Sequence, residues 1–274
     1  LFFEYGRASN TPRGSKKQDL TPNRWDMIIK KSKEEIGKMR EAGRIVAGVL
    51  DMLDENIRPG VRTEVLDALA EDYIRKRGGI PSFLGYRGFP ASICTSVNDV
   101  VVHGIPGKTR LKEGDIIGVD VGVILDGYQA DAARTYAVGE VSPTATRLME
   151  VTRAALEAGI DACRPGNRLG DVSHGIQNVV EKGGFAVVVQ FVGHGIGKEM
   201  HEEPQIPNFG PPGRGPLLEK GMTFALEPMV NEGVYEVVVD DDGWTVRTLD
   251  GKLSAHYEHT VAITGNGPVT LTLA

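Results

Sequence analysis

Apolar residues recur at helical spacing from Ile36 through Met39, Ile45, Val46, Val49, Leu50 and Leu53, which predicts an amphipathic helix over about residues 33–56. Ser32, with Glu35 three positions on, supplies a capping box at its start. Arg58-Pro59-Gly60 breaks the pattern, and Val65, Leu66, Leu69, Tyr73 and Ile74 predict a second helix closed by Gly78-Gly79. The same order then returns. A helix over about 144–162 runs into Arg164-Pro165-Gly166, and another carrying Val172, Ile176, Val179 and Val180 stops at Gly183-Gly184. RPGxR thus stands at 58–62 and again at 164–168. Further on, LKEGDIIGVD (111–120) aligns with LLEKGMTFALE (217–227), setting Gly114 over Gly221 and Asp120 over Glu227. A helix-RPG-helix-GG unit followed by a Gly-apolar-acid strand, twice in order, predicts two halves of one pseudo-symmetric α/β domain. The halves are expected to pack face to face with a site between them.

Four acids sit in segments that otherwise read as strands. Ile116–Val123 is apolar around Asp120, and Asp126-Gly127 is a two-residue hairpin signal whose return strand carries Asp131. That turn sets Asp131 opposite Gly122 and Asp120 opposite Ala133, so both carboxylates point to one face. Such diagonal neighbours lie about 7–8 Å apart by their backbones, a spacing at which two acids can share a cation. In the second half, Met222–Leu226 leads to Glu227, and Ser254–Ile263 embeds Glu258. A charge inside an apolar strand costs several kcal/mol unless paired or metal-bound. One such acid alone is more often a strand-end or edge residue; four, two of them repeat-related, point to a shared purpose.

Histidines extend the set. His194 lies between glycines in Val192-Gly193-His194-Gly195, after an apolar strand expected over 186–192, where small neighbours leave room for a ligand. His103 and His201 suit hydrogen-bond donors better, and His174 reads as an ordinary helix residue. One imidazole with four carboxylates favours Mn, Fe or Co-type divalent ions over a thiolate zinc site. The acids would also balance the charge of two such ions.

Composition narrows the classes. The net charge of -6 gives no global basic field for a nucleic acid or an anionic membrane. No apolar run approaches the roughly 18 to 20 residues of a membrane span. Cys94 and Cys163 form no CxxC pair and read as reduced thiols of a cytoplasmic protein. Residues 1–27 are polar and read as an N-terminal extension, with MIIKKSKEEI from Met27 resembling a native start; residues 28–274 read as a single domain.

Over about 28–272 the chain resembles type I methionine aminopeptidases. The resemblance rests on GYRGFPASICTSVNDVVVHGIP (85–106), GDIIGVDVGVILDGYQADAART (114–135), VGHGIGKEMHEEPQIPN (192–208), GMTFALEPMV (221–230) and DGWTVRTLDGKLSAHYEHT (242–260). It implies the α+β pita-bread fold, with related halves around a central antiparallel sheet. It implies metal ligands at Asp120, Asp131, His194, Glu227 and Glu258, with Asp131 and Glu258 bridging two divalent ions (Co, Mn, Fe or Zn). A metal-activated hydroxide would attack the first peptide bond, Glu227 would shuttle the proton, His201 would stabilise the tetrahedral intermediate and His103 would position the substrate. The methionine pocket carries over as Tyr86, Phe89, Cys94 and Trp244, with Phe83 and Met200 beside them.

The chain also departs from the family pattern. Met200 stands where relatives often carry an aromatic, Phe83 where several carry cysteine, and His256 where glutamine is common. The implied role is excision of the initiator methionine from nascent chains with a small second residue, by a cytoplasmic monomer, with transient ribosome contact as a further expectation. Two rivals are a prolidase-like Xaa-Pro metallopeptidase and a non-catalytic binding protein of the same fold. The first would usually bring a large additional N-terminal domain, and the second would show lost ligands.

Overall fold

The computed structural model describes residues 27–273. The expected extension over 1–27 therefore lies outside the described residues, except for Met27, which is exposed. Four helices form where the periodicity places them: α1 (Lys33–Asp54), α2 (Thr63–Lys76), α3 (Pro143–Ala162) and α4 (Leu169–Gly183). The capping box of α1 is complete, with the Glu35 amide donating to Ser32 Oγ at 3.2 Å and the Ser32 amide donating to Glu35 Oε2 at 2.7 Å.

The repeat extends to individual hydrogen bonds. In the first half the Gly60 amide donates to the Leu111 carbonyl and the Leu111 amide to the Val61 carbonyl. In the second, Gly166 donates to Leu218 and Leu218 to Asn167. Gly60, Gly166, Gly114 and Gly221 all hold φ between 87° and 94°, which explains glycine at both copies of each turn.

Strand pleating sorts each half into two faces. Ile116–Leu125 and Tyr128–Ala137 pair around the Asp126-Gly127 turn in the expected register, with Gly122 opposite Asp131 and Asp120 opposite Ala133. Ile117, Val119, Val121, Val123, Ala130 and Ala132 pack beneath α1 and α2 with Val49, Leu53, Leu66 and Ile74. The alternate residues, Asp120, Gly122 and Asp131 among them, point to the opposite face. In the second half Phe224, Leu226, Val261 and Ile263 pack against Leu148, Leu156, Val172 and Ile176 of α3 and α4.

The halves meet edge to edge rather than face to face. The Glu258 amide donates to the Ala133 carbonyl at 2.8 Å and the Ala133 amide returns to the Glu258 carbonyl at 3.3 Å. On either side a threonine hydroxyl takes the place of a strand neighbour. Thr260 Oγ1 accepts from the Asp131 amide at 2.9 Å and donates to the Asp131 carbonyl at 2.8 Å. Thr135 Oγ1 treats His256 in the same way, at 2.9 Å and 2.8 Å. An edge join follows because these strand edges need main-chain partners, which a face-to-face packing would leave unmet.

Two predicted strands are interrupted. The stretch expected over 186–192 keeps only Ala186–Val187, which pairs with Met229–Asn231, while His194 has its own strand, Gly193–Gly195, in another sheet. Ser254–Ile263 breaks at Tyr257 and Glu258, because Ser254–His256 pairs with Met229–Asn231 and His259–Thr264 pairs with Thr223–Leu226. Glu227 and Glu258 thus sit just outside strands, at points where the chain changes partner. No helix among the described residues is long and apolar enough to cross a membrane.

Thr260→Val keeps the shape of the seam but strands the Asp131 amide and carbonyl. It is expected to cost about 1–3 kcal/mol, read by urea unfolding of metal-stripped protein. A change within the noise of that measurement would show that the hydroxyl is not part of the join.

Candidate metal centre

The seam gathers acids from both halves. Asp131, His194 and Glu258, all buried, each bring one ligand atom within 4.8 Å of the others. Glu227 borders the group, with its Oε1 3.5 Å from His194 Nε2. Asp120 stands diagonally across the ladder from Asp131, on the same face of the strands, and feels the charges of both Asp131 and Glu227. All five residues expected as ligands therefore converge on one volume.

Local structure aims each of them. The glycines around His194 are a packing requirement: a Cβ on Gly193 would lie 2.5 Å from the Ala225 carbonyl oxygen, and one on Gly195 2.2 Å from that of Glu203. His194 Nδ1 donates to the Gly195 carbonyl at 2.9 Å, so its proton is on Nδ1 and the Nε2 lone pair faces the acids. Asn208 Nδ2 donates to the Glu227 carbonyl at 3.0 Å and fixes that turn.

The electrostatics call for a cation. Asp120 Oδ1, Asp131 Oδ1 and Glu258 Oε1 are buried with no hydrogen-bond partner among the described residues. No lysine or arginine among those residues forms an ion pair with any of the four acids; Arg134, on the neighbouring strand position, pairs with Asp51 at 3.1 Å instead. Burial raises Asp120, Glu227 and Glu258 well above the ordinary carboxylate range, and the Asp131 charge adds to each. Burial raises Asp131 itself to about 7. Oxygen-rich, partnerless and mutually repelling, the cluster fits divalent cations and would be poorly served by water alone.

The flanking histidines are held differently. His103 adopts φ +58°, an uncommon left-handed conformation, and its ring meets Phe191 and Trp244 edge-on at 5.7 and 6.3 Å. Burial lowers His103 to about 4, so it is neutral at physiological pH. His201 is exposed at the mouth, its ring centroid 4.2 Å from that of His194, with Nδ1 2.8 Å from Tyr86 Oη.

The expected apolar slot is also assembled. Phe89 packs edge-on against Trp244 at 5.1 Å and Phe83 at 6.5 Å, with Cys94 in the same cluster. Tyr86 and Met200 continue it from the neighbouring cluster. Cys94 pairs directly with Asp120 across the strands, so the slot ends at the acids. Its thiol is raised well above its ordinary value, by burial first and by Asp120 next, and is therefore a neutral lining.

Two supporting residues escaped sequence reasoning. Lys31 and Glu202 form a tight buried ion pair, and Glu202 Oε1 accepts from the Lys198 and Glu199 amides at 2.9 and 3.3 Å. Together they pin the loop that carries Met200 and His201. Their separation of 171 positions leaves no local signal that could have paired them.

Comparison with known proteins agrees with this geometry. The model of metallopeptidase family M24 matches residues 37–265. The chain belongs to that family. It is 58% identical over 248 residues to the methionine aminopeptidase of Clostridium acetobutylicum, covering 90% of this chain and 99% of that one. The crystal structure of methionine aminopeptidase from Thermotoga maritima superposes with a TM-score of 0.89 at 49% identity, over 90% of this chain and 100% of that one. A prolidase from Pyrococcus furiosus shares the fold with a TM-score of 0.72 at 24% identity, over 91% of this chain and 66% of that one. The pita-bread fold and membership of the type I methionine aminopeptidases within family M24 follow. So does use of a divalent metal, for which Asp131, His194 and Glu258 form a candidate site.

Metal-free protein should carry a measurable penalty for this cluster. Because Asp131 titrates above the ordinary carboxylate range when folded, its contribution to stability is complete at low pH and lost as pH rises through about 7. Asp131→Asn is expected to raise the stability of chelator-treated protein above that pH by about 1–2 kcal/mol while abolishing metal-dependent activity. Urea unfolding on either side of neutrality reads the first effect; an unchanged pH slope in the variant would contradict it.

Proposed function

We propose that this chain is a methionyl aminopeptidase that removes the initiator methionine from nascent proteins and peptides with a small second residue. The observation that carries this reading is the adjacency of slot and acids: Cys94 at the end of an apolar, aromatic slot stands opposite Asp120. A thioether side chain suits such a lining, and its own α-amine and first peptide bond would then fall at the acid cluster.

On this reading Asp120, Asp131, His194, Glu227 and Glu258 would together hold two divalent ions (Mn, Fe, Co or Zn). Bound there, the ions would polarise the scissile carbonyl and make water acidic enough to ionise at neutral pH. Glu227, at the His194 side, takes a proton at its carboxylate and delivers it to the leaving nitrogen. His201, hydrogen-bonded through Nδ1 to Tyr86 Oη, would present Nε2–H to the oxygen that becomes negative in the tetrahedral state. Neutral His103, held edge-on between Phe191 and Trp244, orients the substrate backbone. Residues 28–274 act as the catalytic domain, 1–27 as an extension. The same reading has the enzyme act on nascent chains in the cytoplasm as a monomer, with transient ribosome contact as a further expectation.

Free methionine should be released from Met-Ala-Ser, and not from Met-Lys-Ser, by metal-stripped protein only after Mn or Co is restored. Failure with every metal, in protein that remains folded, would favour a non-catalytic member of the fold. His201→Ala should lower turnover about 10²–10³-fold. Its metal stoichiometry, measured on dialysed protein, should stay at the wild-type value; loss of metal would reassign His201 as a ligand.

A further inference from the structure

His256 is a buried imidazole, 4% exposed, to which the proposed chemistry gives no role. Its backbone is fixed on both sides, by the paired bonds to Thr135 Oγ1 and by pairing with Met229. The ring and the Glu258 side chain come together where the strand breaks at Tyr257 and Glu258. Nε2 of His256 is buried with no hydrogen-bond partner among the described residues and lies 3.8 Å from Glu258 Oε2. The other Glu258 oxygen, Oε1, is equally partnerless. A ring nitrogen buried without a partner is costly, and the nearby Glu258 is a carboxylate that needs donors.

We infer that His256, protonated on Nε2, donates to Glu258 and holds that carboxylate in the orientation that binds metal, acting as a positioning residue for the centre. The inference rests on the reading of Glu258 as a ligand. Outer hydrogen bonds of this kind orient ligating carboxylates, and their loss typically lowers metal affinity about 10–100-fold.

The test is titration of metal-stripped, full-length protein with Co²⁺ alone, read by competition with a chelating dye and by the visible absorption of bound Co²⁺. His256→Leu removes the donor in similar volume and should weaken binding about 10–100-fold with unchanged band positions. His256→Gln keeps a donor amide and should bind within about threefold of wild type, a smaller loss than the roughly 10–100-fold just cited. Urea unfolding of the metal-free variants separates this from misfolding: both should unfold in a single cooperative transition. Wild-type affinity in His256→Leu would overturn the inference. So would an equal loss in His256→Gln, or a shift of the Co²⁺ bands in both variants, which would make His256 a direct ligand. Wild-type protein that binds no Co²⁺ would instead overturn the reading of the centre itself.

Discussion

Two main-chain hydrogen bonds between Ala133 and Glu258 bring the acids of both halves into one volume. Without them Asp120 and Asp131 would belong to one sheet and Glu227 and Glu258 to another, each pair facing solvent or core on its own. The threonines that flank this pair solve a geometric problem. Asp131 and His256 lie where the opposing backbone has turned to pair elsewhere, so a hydroxyl that both donates and accepts stands in for the missing main chain. The seam is thus short, doubly supported and placed where the charge is.

Such a join is unfavourable for the protein alone. Burial raises all four acids, and each charge makes the next harder to create, so the metal-free fold keeps protons that free carboxylates would lose. The surrounding structure tolerates this because its stability comes from elsewhere, chiefly two apolar layers in which helix pairs cover the far face of each sheet. Alternation along the strands keeps those layers and the acids apart. Val119 and Val121, which pack in the layer beneath α1 and α2, stand on either side of Asp120.

Much of this was legible in the sequence because it is local. Helices, their caps, the Asp126-Gly127 hairpin and its register all depend on residues within a turn or two of each other, and Gly122 opposite Asp131 came directly from the turn. The internal repeat carried the pseudo-symmetry, down to the equivalent bonds at Gly60 and Gly166. The stretch over 254–263 reads as one strand because no glycine, proline or turn pair interrupts it; what divides it is a change of partner from Met229–Asn231 to Thr223–Leu226, which no local pattern records. The edge-to-edge seam and the Lys31–Glu202 pair were invisible for the same reason.

Gly122 shows how closely the slot and the acids depend on each other. It faces Asp131 across the ladder, and a Cβ there would lie 2.8 Å from Met200 Cε, 2.9 Å from Phe83 Cε1 and 2.9 Å from Ser82 Cβ. Met200 and Phe83 therefore press on the strand that sets Asp120. Met200 also shares its loop with His201, and that loop is pinned by Lys31 through Glu202. A change in slot shape would be felt through Gly122 as a shift in the spacing of the acids, because close-packed interiors transmit displacement instead of absorbing it. Substrate fit and the geometry of the centre are consequently set by one packed unit and would vary together.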